Sequence, residues 1–326
     1  MRVDAEYVLP LRWHDDRDLD ELTAYLRDLS RWIDVTVVDG SAPAFFRAHA
    51  RAWGGHVRHV PPAVESGANG KVRGVLSGLA LARHEIVVLA DDDVRHTPDT
   101  LAALVTELQD ADLVKPQNVF VPCPWHARWD TARSLVNRAL GADYPGTYGL
   151  RRSALPRGYD PDALFENCEM ERTVRAGGGR VRARRDLFVP RRPPSARRFW
   201  SQRVRQAYDS HAQPVRLMAE LAIIPVVWRL RRRRGILAFL TLAVIGFGEL
   251  GRRRAGGEAV YPRSAALWVP VWAIERGLCS WAAVGLRLRG GMPYAGARLR
   301  LAATPLRTLR LRMTDAAARP RRERNS

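Results

Sequence analysis

The feature that most limits how this chain can fold is an alternation. Five apolar runs of strand length, at 5–11, 34–39, 56–60, 85–90 and 111–116, are separated by stretches with helical spacing. Leu19, Leu22, Leu26, Leu29 and Ile33 recur at the i, i+3, i+4 interval of one helix face, with Asp18 or Asp20 as an acidic start. Val72, Val75, Leu76 and Leu79 repeat the pattern after Gly70. Strand and helix in turn predict an α/β fold, a mostly parallel sheet with helices on both faces. Ligands of such sheets bind outside the carboxyl ends of the strands.

Two of those ends are acidic. The run at 34–38 leads into Asp39-Gly40-Ser41, either an Asx turn or a carboxylate offered to a ligand. The run at 85–90 ends in Asp91-Asp92-Asp93, and in an extended chain Asp91 and Asp93 would point to the same side. Three successive carboxylates repel one another, with no basic residue before Arg95. A Mg²⁺ or Mn²⁺ ion bridging to a diphosphate would relieve that repulsion. The competing reading is an acidic loop or helix cap before Thr97-Pro98. Lysine is nearly absent, Lys71 and Lys115 standing against 51 arginines, which singles out those two positions.

The order VLPLRW, VVDGS and GANGKVRGVLSGLALARHEIVVLADDDVRHTPDTLAALV resembles the nucleotide-binding half of glycosyltransferase family 2. Within that family it looks most like the membrane-associated, ceramide-glucosyltransferase-like branch. The resemblance implies a GT-A fold (Rossmann-like), a nucleotide-sugar donor, a divalent metal (Mg²⁺ or Mn²⁺) and inversion at the sugar. It implies a donor side made of Pro10, Asp39, Lys71, Asp91, Asp92 and Arg203, with Asp39 at the base or ribose and Lys71 near the phosphates. Asp91 to Asp93 take the place of the family's DxD element, Asp93 as direct metal ligand and Asp91 beside it.

On the acceptor side, Tyr144-Pro-Gly-Thr-Tyr-Gly-Leu-Arg-Arg resembles the loop before the family's acceptor helix. Phe165-Glu-Asn-Cys-Glu-Met170 stands where a Glu-Asp-x-Asp element is usual. A transferase acting on a hydroxyl needs a carboxylate to take the proton. Asn167 occupies the usual place of that base and cannot accept it, so Glu166 or Glu169, one helical turn apart, is the candidate, with Glu166 favoured. Without the family frame, exposed acids on an amphipathic helix explain the same residues. Arg198, Gln202 and Arg205 share a helical face, and Gln202 and Arg205 match the family's Gln-x-x-Arg-Trp element, whose arginine would meet the departing diphosphate. Gln206 stands in place of the Trp. The family's metal-binding His is missing from Asp186-Leu-Phe-Val-Pro-Arg-Arg, where Arg191 or Arg192 falls nearby.

The formal charge of +19 is unevenly placed: residues 1–179 carry 21 basic and 26 acidic side chains, residues 180–326 carry 32 and 8. The basic half also holds three apolar segments, Pro214–Leu230, Gly235–Gly248 and Ser264–Leu286, none of which is cleanly the about 20 residues that a bilayer crossing needs. With Arg231–Arg234 and Arg252–Arg254 on either side of the middle segment, re-entrant or interfacial helices on anionic lipid are expected, with two or three true spans as the alternative. Buried helices of a soluble domain would also accommodate segments this short. Nucleic-acid binding is disfavoured, because the basic stretches lack aromatic platforms.

The expected organisation is a catalytic domain at 1–212, membrane-associated helices at 213–290 and a basic tail at 291–326, disordered over ARPRRERNS. At the start of the tail, Gly290-Gly291-Met-Pro-Tyr-Ala-Gly296 is similar to a Gly-rich stretch with an aromatic in related membrane glycosyltransferases. Three separated cysteines and no apolar leader point to a reducing compartment, with the catalytic domain at the cytoplasmic face of the cell membrane. The expected function is transfer of a sugar from a nucleotide diphosphate sugar to a lipid or lipid-linked hydroxyl. The alternative, motivated by Asn167, Gln206 and the missing His, is an impaired scaffold that binds nucleotide sugar without turnover.

Overall fold

The computed structural model describes residues 2–294 and 296–322, with side chains as far as residue 314. Residues 323–326, the end of the stretch expected to be disordered, lie outside the described residues, as does Ala295 beside the Gly-rich stretch. The chain forms two compact units. The first comprises Met1–Lys115, Pro145–Ala183 and Ala303–Ser326; the second comprises Pro116–Tyr144 and Arg184–Ala302.

The apolar runs of the first unit become β1 (Glu6–Leu11), β2 (Asp34–Asp39), β3 (Arg58–Val60), β4 (Ile86–Ala90) and the start of β5 (Leu113–Phe120). Between them lie the helices α1 (Leu19–Leu29), α2 (Pro43–Trp53), α3 (Gly70–Leu81) and α4 (Pro98–Glu107). The pairs β1–β2, β1–β4 and β2–β3 are parallel, and the register puts Leu11 opposite Asp39. Two strands had no periodicity to mark them: β6 (Thr147–Arg151), read as a loop from sequence, and β7 (Val181–Arg191). β6 runs antiparallel to both β4 and β5, giving the sheet order β3-β2-β1-β4-β6-β5-β7. Val8, Val72, Val75, Leu89, Tyr148 and Leu150 belong to one buried cluster of this unit.

Helix α3 sits close to the sheet because its inner face is glycine. A Cβ at Gly78 would fall 2.2 Å from Val8 Cγ1, and one at Gly74 would fall 2.9 Å from Pro10 Cβ. Helix α6 (Glu166–Ala176) buries Cys168, Met170 and Val174. Helix α11 (Leu306–Arg322) is the surprise of the tail: it extends through residues 318–322, where disorder was expected. Leu306, Leu309 and Met313 fall on one face of it at helical spacing, and Leu309 is buried.

In the second unit α5 (Trp125–Leu140), α7 (Ala196–Tyr208), α8 (Pro214–Leu230), α9 (Arg234–Arg253) and α10 (Val269–Leu288) pack together, followed by the hairpin β8 (Met292–Tyr294) and β9 (Ala297–Leu299). The three apolar segments are therefore helices. The C-terminal part of α9 lies against α5, where a Cβ at Gly251 would overlap the Leu135 carbonyl. Its N-terminal part exposes Ile236, Phe239, Leu240 and Leu242, and α8 exposes Val215, Met218 and Trp228. Among the described residues one stretch, Arg234–Ala259, is long and apolar enough to cross a membrane, and 11% of its 18-residue apolar window is buried.

The two arginine clusters flanking α9 differ in a way that the sequence does not show. Arg231–Arg234 are exposed. Arg252 and Arg253 instead pair with Glu249 at 2.6 and 2.7 Å, and Arg254 donates to the carbonyls of Arg138 and Ala139. The second cluster thus also ties down a helix end, with Arg252 buried while Arg253 and Arg254 stay exposed.

Two outcomes follow from this packing. Gly78→Ala should lower stability by about 1–3 kcal/mol in urea titration, because β-branched Val8 is stiff and must shift. His84 lies 2.8 Å from both Asp34 and Asp4, and its pKa is raised chiefly by the hydrogen bond to Asp34, against a smaller effect of burial. That contribution is complete below the unfolded value of about 6.5 and is lost as pH rises through the higher folded value. Thermal melts between about pH 6 and 8 should show wild type losing stability that His84→Ala lacks throughout.

Candidate active site

The carboxyl ends of β1 and β4 and the start of α3 meet around a cavity of about 290 Å³, open solvent included. Pro10 from β1, Lys71 from α3, Asp91 after β4 and Glu166 and Asn167 from α6 line it, together with Tyr148 and Tyr159.

Asn69 builds the corner. Its side-chain oxygen caps α3, accepting from the Lys71 and Val72 amides at 3.1 and 3.4 Å. Its amide donates to the Ala163 carbonyl at 2.8 Å, and the neighbouring Ala68 N–H donates to Asp162. The start of α3 is therefore fastened to the chain that leads into α6. The consequence is a bridge: Lys71 Nζ lies 2.6 Å from Asp91 Oδ1 and 2.7 Å from Glu166 Oε1. Burial would lower the Lys71 pKa, but the two carboxylates outweigh it and hold the ammonium charged, well above its usual value.

The three aspartates do not continue the strand, as the extended-chain expectation had it. They form a tight turn in which Val94 N–H donates to Asp91 O at 3.1 Å. Asp92 accepts from Trp13 Nε1 at 2.6 Å, and all three side chains belong to half-buried residues. Nor do they cap α4: Thr97 caps it, in a reciprocal pair with Thr100. With the capping role taken, Asp91 and Asp93 remain candidate hard-oxygen ligands for a Mg²⁺ or Mn²⁺ ion.

Asp39 is closed rather than open. It is 1% exposed, its Oδ1 accepts from Ser41 N–H at 2.8 Å, and its Oδ2 lies 2.6 Å from His49 Nδ1 and 3.0 Å from His59 Nε2. Burial pushes this carboxyl up, but the bonds to His59, Ser41 and His49 bring it down to about 2. Glu169 is also sealed: it is fully buried, accepts from the Thr304 amide at 2.5 Å and does not line the cavity. Burial raises its pKa, and the Thr304 bonds oppose this. Asn167 donates to the Pro145 carbonyl at 2.9 Å.

In the second unit α7 places Arg198, Gln202 and Arg205 on its less buried side, opposite Phe199, Arg203 and Ala207. Arg203 is 2% exposed, lies 3.0 Å from Asp130 and 3.8 Å from Glu275, and stacks over Phe199. Its guanidinium, expected on the donor, is thus held inside that unit through Nε and Nη1.

Sequence reading missed Trp13, Asn69, His49 and His59. Asn69-Gly70 ahead of an apolar helical run is a helix-start signal that would have found the cap. The histidines come from a helix and a neighbouring strand, and no local spacing links them.

Residues 19–164 match the family model Glycosyl transferase family 2. No curated protein matches the chain by sequence. Among solved structures, the mannosyltransferase PcManGT of Pyrobaculum calidifontis, in complex with GDP-Man and Mn²⁺, is similar at 18% identity over 88% of each chain, with a TM-score of 0.53. Glucosyl-3-phosphoglycerate synthase of Mycobacterium tuberculosis, with Mn²⁺ and UDP-glucose, shares 18% identity over 60% of this chain and 73% of its own, with a TM-score of 0.42. The segment similar to glycosyltransferase family 2 runs from α1 to the chain just before α6 and includes Lys71 and Asp91–Asp93, and the likeness to the mannosyltransferase shows a GT-A fold.

Proposed function

We propose that the protein is a membrane-associated, inverting glycosyltransferase of the ceramide-glucosyltransferase-like kind. It would move a sugar from a nucleotide diphosphate donor to a hydroxyl of a lipid or lipid-linked acceptor, at the cytoplasmic face of the cell membrane. The observation that carries the reading is the Lys71 bridge, which gathers a candidate metal-binding aspartate and a candidate base at one cavity.

Glu166 lines the cavity and keeps 12% of its side chain exposed, whereas Glu169 is sealed away, which favours Glu166 as the base. In the proposed step the acceptor oxygen bonds to the anomeric carbon, Glu166 takes its proton, and the bond from that carbon to the donor diphosphate breaks. The Lys71 ammonium is the protein cation placed to meet the charge that appears on the phosphates. Asp91 and Asp93 would hold a Mg²⁺ or Mn²⁺ ion that neutralises the same charge, consistent with the Mn²⁺ and GDP-Man of the similarly folded mannosyltransferase.

The lipid side of the proposal is supported by the second unit, where exposed apolar residues of α8 and α9 adjoin the exposed Arg231–Arg234. Each such cation near an anionic surface adds about 1 kcal/mol.

Three measurements test this reading. Incubating the protein with a panel of labelled nucleotide sugars and a membrane lipid extract should give a Mn²⁺- or Mg²⁺-dependent labelled lipid. Donor binding without turnover on any lipid would instead favour the impaired scaffold. Glu166→Gln should cut transfer by about 100-fold or more while donor affinity stays within a few-fold; full activity in that variant, or loss only in Glu169→Gln, would overturn the assignment of the base. In flotation assays, replacing Arg231–Arg234 by Gln should weaken binding to anionic vesicles and leave binding to neutral ones nearly unchanged. Equal binding of both proteins to anionic vesicles would remove the electrostatic part of the proposal.

A further inference from the structure

None of Asp39, His49 and His59 lines the Lys71 cavity. They meet where the end of β2, helix α2 and strand β3 come together, and one ligand atom from each lies within 4.8 Å of the other two. The side chains of Asp39 and His49 are fully buried and that of His59 is 7% exposed. The rings are held in place: His49 stacks on Trp53 at 4.7 Å, and His59 on Phe46 at 4.2 Å.

Proton counting shows that hydrogen bonds between neutral rings do not complete this cluster. His49 faces a carboxylate at each nitrogen, Asp39 at 2.6 Å from Nδ1 and Asp16 at 3.0 Å from Nε2. A neutral imidazole has one N–H to donate. Whichever nitrogen of a neutral ring carries the proton, the other lone pair faces a carboxylate, Asp39 at Nδ1 or Asp16 at Nε2, so a cation, a second proton or a metal ion, completes the contact.

The surroundings match the outer shell of a metal site. A ligating imidazole usually donates its far N–H to a carboxylate, which is the place of Asp16, and a ligating carboxylate is itself hydrogen-bonded, which Ser41 N–H does for Asp39 at 2.8 Å. Two imidazoles and one carboxylate are the donor set of Zn²⁺ and its transition-metal neighbours, unlike the all-oxygen set at Asp91–Asp93. Zinc bonds of about 2.0–2.1 Å in tetrahedral geometry place ligand atoms about 3.3 Å apart. The observed 2.6 and 3.0 Å need to open by less than about 1 Å.

We propose that Asp39, His49 and His59 form a structural transition-metal site, with Zn²⁺ as the fitting ion. The ion would pin α2 to β2 and β3. Asp39 would then shape the donor side from beneath rather than by touching the nucleotide.

The test uses the untagged full chain, stripped with chelator and reloaded with Zn²⁺, as wild type and as an Asp91→Asn, Asp93→Asn variant. About one zinc per chain should survive gel filtration in both, and the zinc absorption edge should show outer-shell scattering from imidazole. Melting temperature should rise on loading. His59→Gln should weaken zinc binding on the order of 100-fold and abolish the rise. No retained zinc, coordination by oxygen alone, or unchanged affinity in His59→Gln would overturn the site and leave a proton as the missing cation. If His59→Gln does not fold, the spectrum of wild type decides between imidazole and oxygen ligands by itself.

Discussion

Everything at the cavity depends on one ammonium between two carboxylates. Asp91 and Glu166 come from a strand end and a helix start, 75 positions apart in the chain, and both lie within 2.7 Å of Lys71 Nζ. Without a cation they would repel. Lys71 can stand between them only because α3 lies deep on the sheet, and α3 lies deep only because Gly74 and Gly78 present no side chain to Pro10 and Val8. Asn69 fixes the third coordinate by joining the first turn of α3 to the Ala163 carbonyl. A local packing choice, two glycines one turn apart, thereby sets the charge arrangement at Lys71, three and seven residues before them.

The parallel part of the fold is legible in the sequence because β1, β2 and β4 are buried along their length and read as unbroken apolar runs. β7 is not legible, since it carries Arg182, Arg184, Arg185 and Asp186 and is mostly half-buried. At the site, Lys71, Asp91 and Glu166 stand out by residue type and by the family resemblance, and the structure brings them together. Arg203 stood out for the same reasons and is occupied elsewhere, because helical spacing cannot tell a guanidinium facing a ligand from one facing Asp130 on a distant helix. Trp13 and the two histidines act through contacts across 79 and across 10 and 20 positions. A window of pattern-reading length holds Asp39 with His49 at most, and neither His59 nor the Trp13–Asp92 pair.

Asn167 raised the question of whether the domain still has a base. Its amide holds the Pro145 carbonyl, next to the Gly146 carbonyl that accepts the Asp91 amide, so it steadies the backbone on which the acidic turn rests. An aspartate there could not donate that bond while ionised. The substitution thus exchanges a carboxylate for an anchor and leaves Glu166, one residue earlier, as the acid at the cavity wall.

The net charge of the basic half overstates its surface field. Arg138, Arg203, Arg252 and Arg276 of the second unit are each 8% exposed or less, and Arg138 donates to the carbonyls of Gly251 and Arg185 inside it. Arginine at such positions is an internal fastener, with enough N–H groups to satisfy several carbonyls at a helix end. Among the exposed arginines, the run Arg231–Arg234 is set between the exposed Trp228 and the exposed Ile236 and Phe239. A polyanion such as nucleic acid asks for cations along a polar or aromatic groove. Cations beside bare aliphatic surface suit a layer with charged headgroups above hydrocarbon. The proposed lipid contact therefore rests on the arrangement of these arginines more than on their number.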